Sequence, residues 1–519
     1  MNHFVLLHPS DDVAVSTKAL PKGTQLDING EKLTLVVDIP AGHKFSLRSL
    51  SAGEAVRKYG WVIGRTTCEI VAGSHVHSHN LVHEHQPPER AESVTPPALP
   101  LPLTGRNFQG YVRHDGRIGT RNYIAVISTV NCSASVAHTV CQQITPEDLA
   151  AFSHVDGVMP VSHEGGCGMS YGGLKHQMLA RVLVGLAKHP NVAGCILVGL
   201  GCEQGTLGYL SQEHGLVPLR GLDGQLLSRS GRGPAIPVLS IQDEGGFRRT
   251  VEKTKGAVRE LLVEAEKNRR VTCDARHLSV GLECGGSDGL SGITANPAVG
   301  AAADRIVASG GTAILSETSE IYGAEHLLVE RSRSTDVANR LLEKIRWWQN
   351  YVAMFGVELD NNPSVGNKAG GLTTIAEKSL GAVAKGGSTA LEGVFDYAEK
   401  VEQRGLVVMD TPGYDPASVT GMMAGGANVI VFTTGRGSCF GSKPAPTIKV
   451  ATNTAMFERL PEDMDFNAGP IADGLLTVDQ AGEQLFEDIL RVASGKKTKS
   501  ELQGIGNYEI VPWTVGPTL

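Results

Sequence analysis

Two patterns of apolar and polar positions run along this chain and divide it. Residues 1–84 carry short apolar bursts, Phe4-Val5-Leu6-Leu7, Leu33-Thr34-Leu35-Val36-Val37 and Trp61-Val62-Ile63, with glycine turns at Gly23, Gly42, Gly53 and Gly64. Short strands at that spacing predict a small β-rich module. Beyond residue 104 the apolar runs become continuous, over 123–130, 157–161, 195–200, 278–282, 312–315, 406–409 and 429–433. Such runs read as strands buried on both faces, and helical spacing recurs between them, most clearly over 248–268 and 336–354. Buried strands alternating with helices predict parallel sheets covered on both sides. The expected fold class is therefore α/β: a small N-terminal β-rich domain and then an α/β core of parallel sheets in two portions.

Six prolines, at 87, 88, 96, 97, 100 and 102, mark 85–104 as an extended linker. A polar, basic break at 267–274 divides the remainder of the chain into 105–268 and 269–519. A chain of 519 residues exceeds one compact domain, which agrees with three.

Polar signals cluster where the strands end, and in open α/β sheets ligands bind outside the carboxyl ends of the strands. The runs lead into Asn131-Cys132, His163-Glu164-Gly165-Gly166-Cys167, Gly201-Cys202-Glu203, Glu283-Cys284-Gly285-Gly286-Ser287-Asp288 and Gly435-Arg436-Gly437. A single buried cysteine is ordinarily core filler, but four at strand ends point to ligation or site lining. In the first module His75, His77 and His79 alternate, so one face of a strand presents neutral imidazoles to a divalent ion; the plainer reading is a solvated His-rich strand end. The segment 361–371 combines backbone donors with Asn367 and Lys368, as a carboxylate-binding loop would. Arg436 between two glycines, and Arg121-Asn122 before a strand, are further acid-binding candidates, each also readable as a surface cation in a turn.

Charge and composition remove other classes. A net charge of −7 excludes a generic nucleic-acid binder, and 5% aromatic residues leave little for base stacking. No apolar run approaches the ~18 residues of a membrane span, and no basic segment leads into an apolar one at the start. Nine cysteines without such a leader read as reduced thiols, so the expected setting is cytoplasmic. No GxGxxG motif opens a βαβ unit, which disfavours a nicotinamide oxidoreductase, and no CxxC pair suggests structural zinc.

Taken together, GHKFSL (42–47), HVHSHN (75–80), GYVRHDGRIGTRN (110–122), HEGGCG (163–168), GLGCE (199–203), ECGGSDGLSGITANPAVG (283–300), NPSVGNKAGG (362–371) and TTGRGS (433–438) resemble the altronate/galactarate dehydratase family over almost the whole chain. The first module resembles that family's SAF domain, related to antifreeze-like domains, and the histidines of 75–80 look like the altronate branch. Gly165, Val365, Cys439 and Phe440 depart from the family pattern in loops expected to wall the site.

The resemblance implies loss of water across C2 and C3 of a sugar acid, giving a 2-keto-3-deoxy acid. It favours an altronate-like hexonate, with galactarate dehydratase or sulfolactate sulfo-lyase activity as alternatives. It implies a divalent metal, Fe2+ foremost, with Mn2+ or Ca2+ as alternatives, polarising the acid while a base removes the α-proton. His163 or Lys368 is the expected base and Glu317 or Glu203 the acid. Arg121, Asn122, Asn367, Arg436, Ser287 and Asp288 are expected to bind substrate, and His75, His77, Cys167, Cys202 and Cys284 to hold metal. An iron–sulfur hydro-lyase using Cys167, Cys202 and Cys284 is the second reading; a non-catalytic carbohydrate-binding protein fits poorly. The expected partners are a small sugar acid and a second copy of the chain in a homodimer, with neither nucleic acid nor membrane.

Overall fold

The computed structural model describes residues 3–83, 85–227 and 234–515, so the expected domain ends at 1, 84 and 519 lie outside it. In the first domain, Val13–Ser16, Lys44–Ser46 and His75–Val76 form an antiparallel sheet with Phe4–Val5. A second antiparallel sheet joins Ala55–Lys58, Trp61–Thr66 and Leu81–Val82. Turns at Gly23, Gly42, Gly53, Gly60 and Gly73, all at positive φ, keep the strands short.

Beyond the first domain lie two all-parallel sheets. One is five-stranded, in the order Gly157–Val161, Tyr123–Ser128, Val192–Gly199, Ile236–Ser240, Leu219–Gly221. The other is seven-stranded, in the order Leu391–Phe395, Gly405–Met409, Thr312–Leu315, Ser279–Cys284, Val429–Thr434, Thr447–Ala451, Phe466–Asn467. The central strands are buried at every position but Ser279, as continuous apolar runs require. The amphipathic segments form the helices Phe247–Ala265 and Thr335–Ala353. No helix among the described residues is long and apolar enough to cross a membrane.

A small antiparallel sheet straddles the expected division near 268. Asn107–Val112, which opens the middle portion, pairs with Arg270–Asp274 and with Ile118–Gly119. The proline-rich segment has no regular structure, yet it is strapped to the last domain rather than hanging free. Ala91 donates to Asn339 Oδ1, Thr95 to the Glu330 carbonyl and Leu103 to that of Ala308.

The first domain docks on the carboxyl-terminal edge of the seven-stranded sheet. Lys44 and Lys58, both fully buried, converge on Glu377 at 2.9 and 2.8 Å. Contact there is backbone-close: a Cβ added at Gly289 would lie 2.0 Å from the Gly42 carbonyl oxygen, so only glycine fits.

Candidate active site

Three neighbouring strands deliver acids to one place. Ser279–Cys284 ends in Glu283 and Cys284, Thr312–Leu315 runs into Glu317, and Gly405–Met409 leads towards Asp415 at the start of helix Asp415–Ala424. The buried helix Ile375–Val383 and the turn Ala384–Gly386 bring Lys378 and Lys385 across them. Lys385 Nζ lies 2.6 Å from Glu317 Oε2, and Lys378 Nζ 2.6 Å from Glu320 Oε1 and 3.0 Å from Asn362 Oδ1. Glu317 adopts a left-handed backbone, φ 64, uncommon for a residue with a side chain. Its N–H donates to Thr411 Oγ1 at 2.7 Å and its carboxylate accepts from the Cys284 N–H at 3.0 Å, which hold that strained geometry.

Carboxyl groups outnumber cations here. Four of them (Glu283, Glu317, Glu320, Asp415) face two lysines, so full ionisation would leave two negative charges unpaired. Burial, then the neighbouring Glu317, keeps Glu283 well above the usual carboxylate range. Burial, with Glu317 and Glu320 nearby, pushes Asp415 to about 7. For Lys378 burial works against the charge, but Glu320, Cys284 and Glu317 together outweigh it and the ammonium is retained. Glu283 Oε1 and Glu317 Oε1 are buried without a hydrogen-bond partner. Ligand atoms of Cys284, Glu317 and Glu320, and of Glu283, Glu317 and Asp415, gather within 4.8 Å of one another. Orphaned oxygens, more carboxyl groups than lysines and a mixed oxygen–sulfur donor set fit a divalent cation.

Beside this cluster, between the first and last domains, opens a cleft of about 420 Å³ lined by Thr17, Gly42, Asp288, Gly370, Arg436 and Arg459. The loop 285–288 is common to both places. A Cβ on Gly285 would lie 2.3 Å from Asp415 Oδ2, and one on Gly435 2.1 Å from Asp288 Cγ. Asp288 is buried and accepts from Ser291 Oγ, the Leu290 N–H and Thr452 Oγ1. Asn367 completes the capping box of the short helix Val365–Ala369 with Ser364 and donates through Nδ2 to the Ser287 carbonyl at 2.9 Å, fastening the 362–371 loop to the 283–288 loop. Arg436 and Arg459 are exposed in the cleft, while Lys368 is half-buried in the capped helix.

The histidines meet this loop from the first domain. His77 Nε2 lies 2.9 Å from the Lys368 carbonyl oxygen and so donates to it, leaving Nδ1 to accept from Ser78 Oγ at 3.0 Å. His43 Nε2 donates to the Ala369 carbonyl at 3.3 Å, so its Nδ1 accepts from His75 Nε2 at 3.0 Å. Burial lowers the basicity of all three, His75 to about 3, keeping them neutral. Both His77 nitrogens are occupied, so in this geometry it grips backbone rather than an ion. Neither His75 nor His77 joins a group of three ligand atoms among the described residues.

Several nominated residues stand elsewhere. Arg121 is buried in a bidentate pair with Glu501 and also donates to the Thr120, Val492 and Lys496 carbonyls. Asn122 is tied to Arg113, His154 and Ala265. Both precede strand Tyr123–Ser128, at the edge opposite the strand-end loops; Arg121 ties the middle portion to the last one, and Asn122 braces the middle portion itself. His163, Glu203, Cys167 and Cys202 end strands of the five-stranded sheet, whereas Cys284 and Glu317 belong to the other. His163 is buried, contacts the Ser128 carbonyl oxygen and accepts from the Gly165 N–H, and burial lowers it to about 4. Glu203 accepts from Thr129 Oγ1 and the Gly201 N–H.

Comparison with known proteins matches residues 2–84 to the altronate/galactarate dehydratase SAF domain. Residues 110–266 match the D-galactarate dehydratase/altronate hydrolase second domain, and 275–518 the D-galactarate/altronate dehydratase C-terminal domain. The chain belongs to the altronate/galactarate dehydratase family. It is 38% identical over 518 residues to galactarate dehydratase (L-threo-forming) of Escherichia coli, covering 97% of this chain and 95% of that one. It is 32% identical over 508 residues to altronate dehydratase of Bacillus subtilis, covering 96% and 97%. It is also 31% identical over 418 residues to the (2R)-sulfolactate sulfo-lyase subunit beta of Chromohalobacter salexigens, covering 79% and 98%. These identities leave the branch within the dehydratase family open, including the altronate branch suggested by residues 75–80.

This family member carries site residues that sequence reasoning did not single out: Glu283, Glu320, Lys378, Lys385, Asp415, Arg459 and His43. Glu283 was within reach, lying in the strand-end string 283–288. The lysines gave a weaker signal, two cations in a helix and turn whose one other charge is Glu377.

Proposed function

We propose that this dehydratase removes water from a sugar acid across C2 and C3, giving a 2-keto-3-deoxy acid, with the chemistry at the Glu283–Cys284–Glu317–Glu320–Asp415 cluster. The observation that carries this reading is the juxtaposition of that cluster with an arginine-lined cleft through one shared loop. Arg436 takes the acid's carboxylate, and Lys368 and Asn367 stand on the loop beside it. Asp415, held near neutrality, is the group suited to take the α-proton and return a proton to the leaving hydroxyl. His163 is unsuited because both ring nitrogens are engaged, and Glu203 because it ends a strand of the other sheet. Glu317, paired with Lys385, orients the cluster.

A divalent ion, Fe2+ by family resemblance, would be held by Cys284, Glu317 and Glu320, leaving Asp415 for proton transfer, and would supply positive charge to stabilise the deprotonated acid.

The cleft presents two arginines, which favours an acid with two carboxylates, galactarate, over one with a single carboxylate. The second reading is altronate, supported by the histidines of residues 75–80. The test is anaerobic turnover of both acids and of sulfolactate by the Fe2+-supplied protein. Release of a 2-keto product from galactarate is expected. Release from altronate alone supports the second reading; release of sulfite, or inert acids throughout, overturns both.

A further inference from the structure

The five-stranded sheet carries strand-end chemistry that the proposed reaction does not use. Its three adjacent strands Gly157–Val161, Tyr123–Ser128 and Val192–Gly199 are parallel, so their carboxyl ends lie side by side, about 4.8 Å apart per strand. The loops at those ends hold Cys167, Cys132 and Cys202 respectively, and all three thiols are free and exposed.

The loops are stitched to one another. Asn131 N–H donates to the Gly165 carbonyl at 2.9 Å, and Gln204 N–H to the Gly166 carbonyl at 2.8 Å. A Cβ on Gly166, at φ 95, would lie 2.5 Å from the Thr129 carbonyl oxygen, so the 163–168 loop packs directly on the 129–131 turn. Cys141 and Cys195, the other two cysteines of this domain, are withdrawn from the surface, one in helix Ala134–Gln143 and one within strand Val192–Gly199. The three exposed thiols therefore stand apart from them as a set.

Three exposed thiols on adjacent loops limit what they could hold. Ligands of one tetrahedral ion with ~2.3 Å metal–sulfur bonds lie about 3.8 Å from each other. No group of three ligand atoms within 4.8 Å among the described residues includes these thiols. A larger inorganic unit suits that wider spacing. We propose that Cys132, Cys167 and Cys202 ligate a [4Fe–4S] cluster, with the fourth iron left to a non-protein ligand. This site is separate from the carboxylate cluster and replaces the Cys167–Cys202–Cys284 grouping, whose third member sits in the other sheet.

The full chain, purified anaerobically and reconstituted with ferrous iron and sulfide, is expected to bind about four acid-labile sulfides per chain and to show visible sulfur-to-iron absorption. Cys132→Ser, Cys167→Ser and Cys202→Ser should each lose most of that sulfide while keeping wild-type circular dichroism. Cys439→Ser and Glu317→Gln, which lie outside this site, should keep it. Iron bound without sulfide, sulfide retained in all three cysteine variants, or sulfide lost in Glu317→Gln overturns the proposal. The Glu317→Gln arm also separates a failure here from a failure of the carboxylate site, since it reads sulfide rather than turnover.

Discussion

Lys385 and Glu317 meet at 2.6 Å with neither side chain exposed to water, and that pair anchors the strained residue at the centre of the acidic cluster. Breaking a buried pair from one side leaves a naked charge, at a cost of about 3–5 kcal/mol. Lys385→Met should therefore lower unfolding free energy by that order and abolish turnover. The double change Lys385→Met with Glu317→Leu should regain much of the stability and none of the activity. Denaturant titration beside a turnover assay checks both; activity in the double variant removes Glu317 from the site.

Asp415 sets a pH dependence whose sign is fixed. Its folded pKa of about 7 lies above the ordinary 3.8, so between these values the unfolded chain has lost a proton that the folded chain keeps. Stability contributed by the neutral acid is complete below about 4 and falls by up to about 1.4 kcal/mol per pH unit as pH rises towards 7. Above 7 this slope disappears. Asp415→Asn should flatten it and erase the limb of the kcat profile near neutrality. An unchanged profile in that variant reassigns the proton transfer.

The two arginines can be told apart by substrate. Arg436→Ala should raise KM about tenfold or more for any acid turned over. Arg459→Ala should do so for galactarate and leave the KM for a hexonate nearly unaltered, since only a diacid has a second end to hold. Steady-state kinetics with both acids decides it, and equal effects on both would refute the diacid reading.

His77 holds the Lys368 carbonyl from the first domain. His77→Ala removes one hydrogen bond to a turn beside the cleft, worth about 1 kcal/mol, so kcat/KM should fall about fivefold with iron content unchanged. Iron loss in that variant would restore the ligand role to this histidine.

The strapped linker narrows where protease can act. Leu99 and Leu101 are 75% and 89% exposed, whereas Ala91, Thr95 and Leu103 are hydrogen-bonded to the last domain. Limited proteolysis should nick first near 99–101, as mass spectrometry of the fragments would show.

The parallel sheets were legible because strands buried on both faces leave unbroken apolar runs, and Thr312–Leu315 appears with the bounds its run suggested. The strand-end strings also exposed Cys284 and Asp288, since sheet topology places such residues at ligand sites whatever the packing. Pairings across sequence were hidden. Lys378 meets Glu320 58 residues away, and Lys385 meets Glu317 68 residues away, contacts that no local period encodes. Arg121 misled for the same reason: its partner Glu501 stands 380 residues on, so a buried structural cation looked like a free one. His75 and His77 do share a side, as alternation demands, but what that side faces depended on how the first domain docks.

That docking has a consequence for the chain as a whole. Lys44, Lys58 and Glu377 form a charge triad shut away from water, and separating the two domains would strand three ions at once. The covalent tether then serves chiefly to raise the effective concentration of one part near the other. Cleaved at 99–101, the two fragments should remain a tight non-covalent complex, and the small domain expressed as its own polypeptide should complement a chain that lacks it.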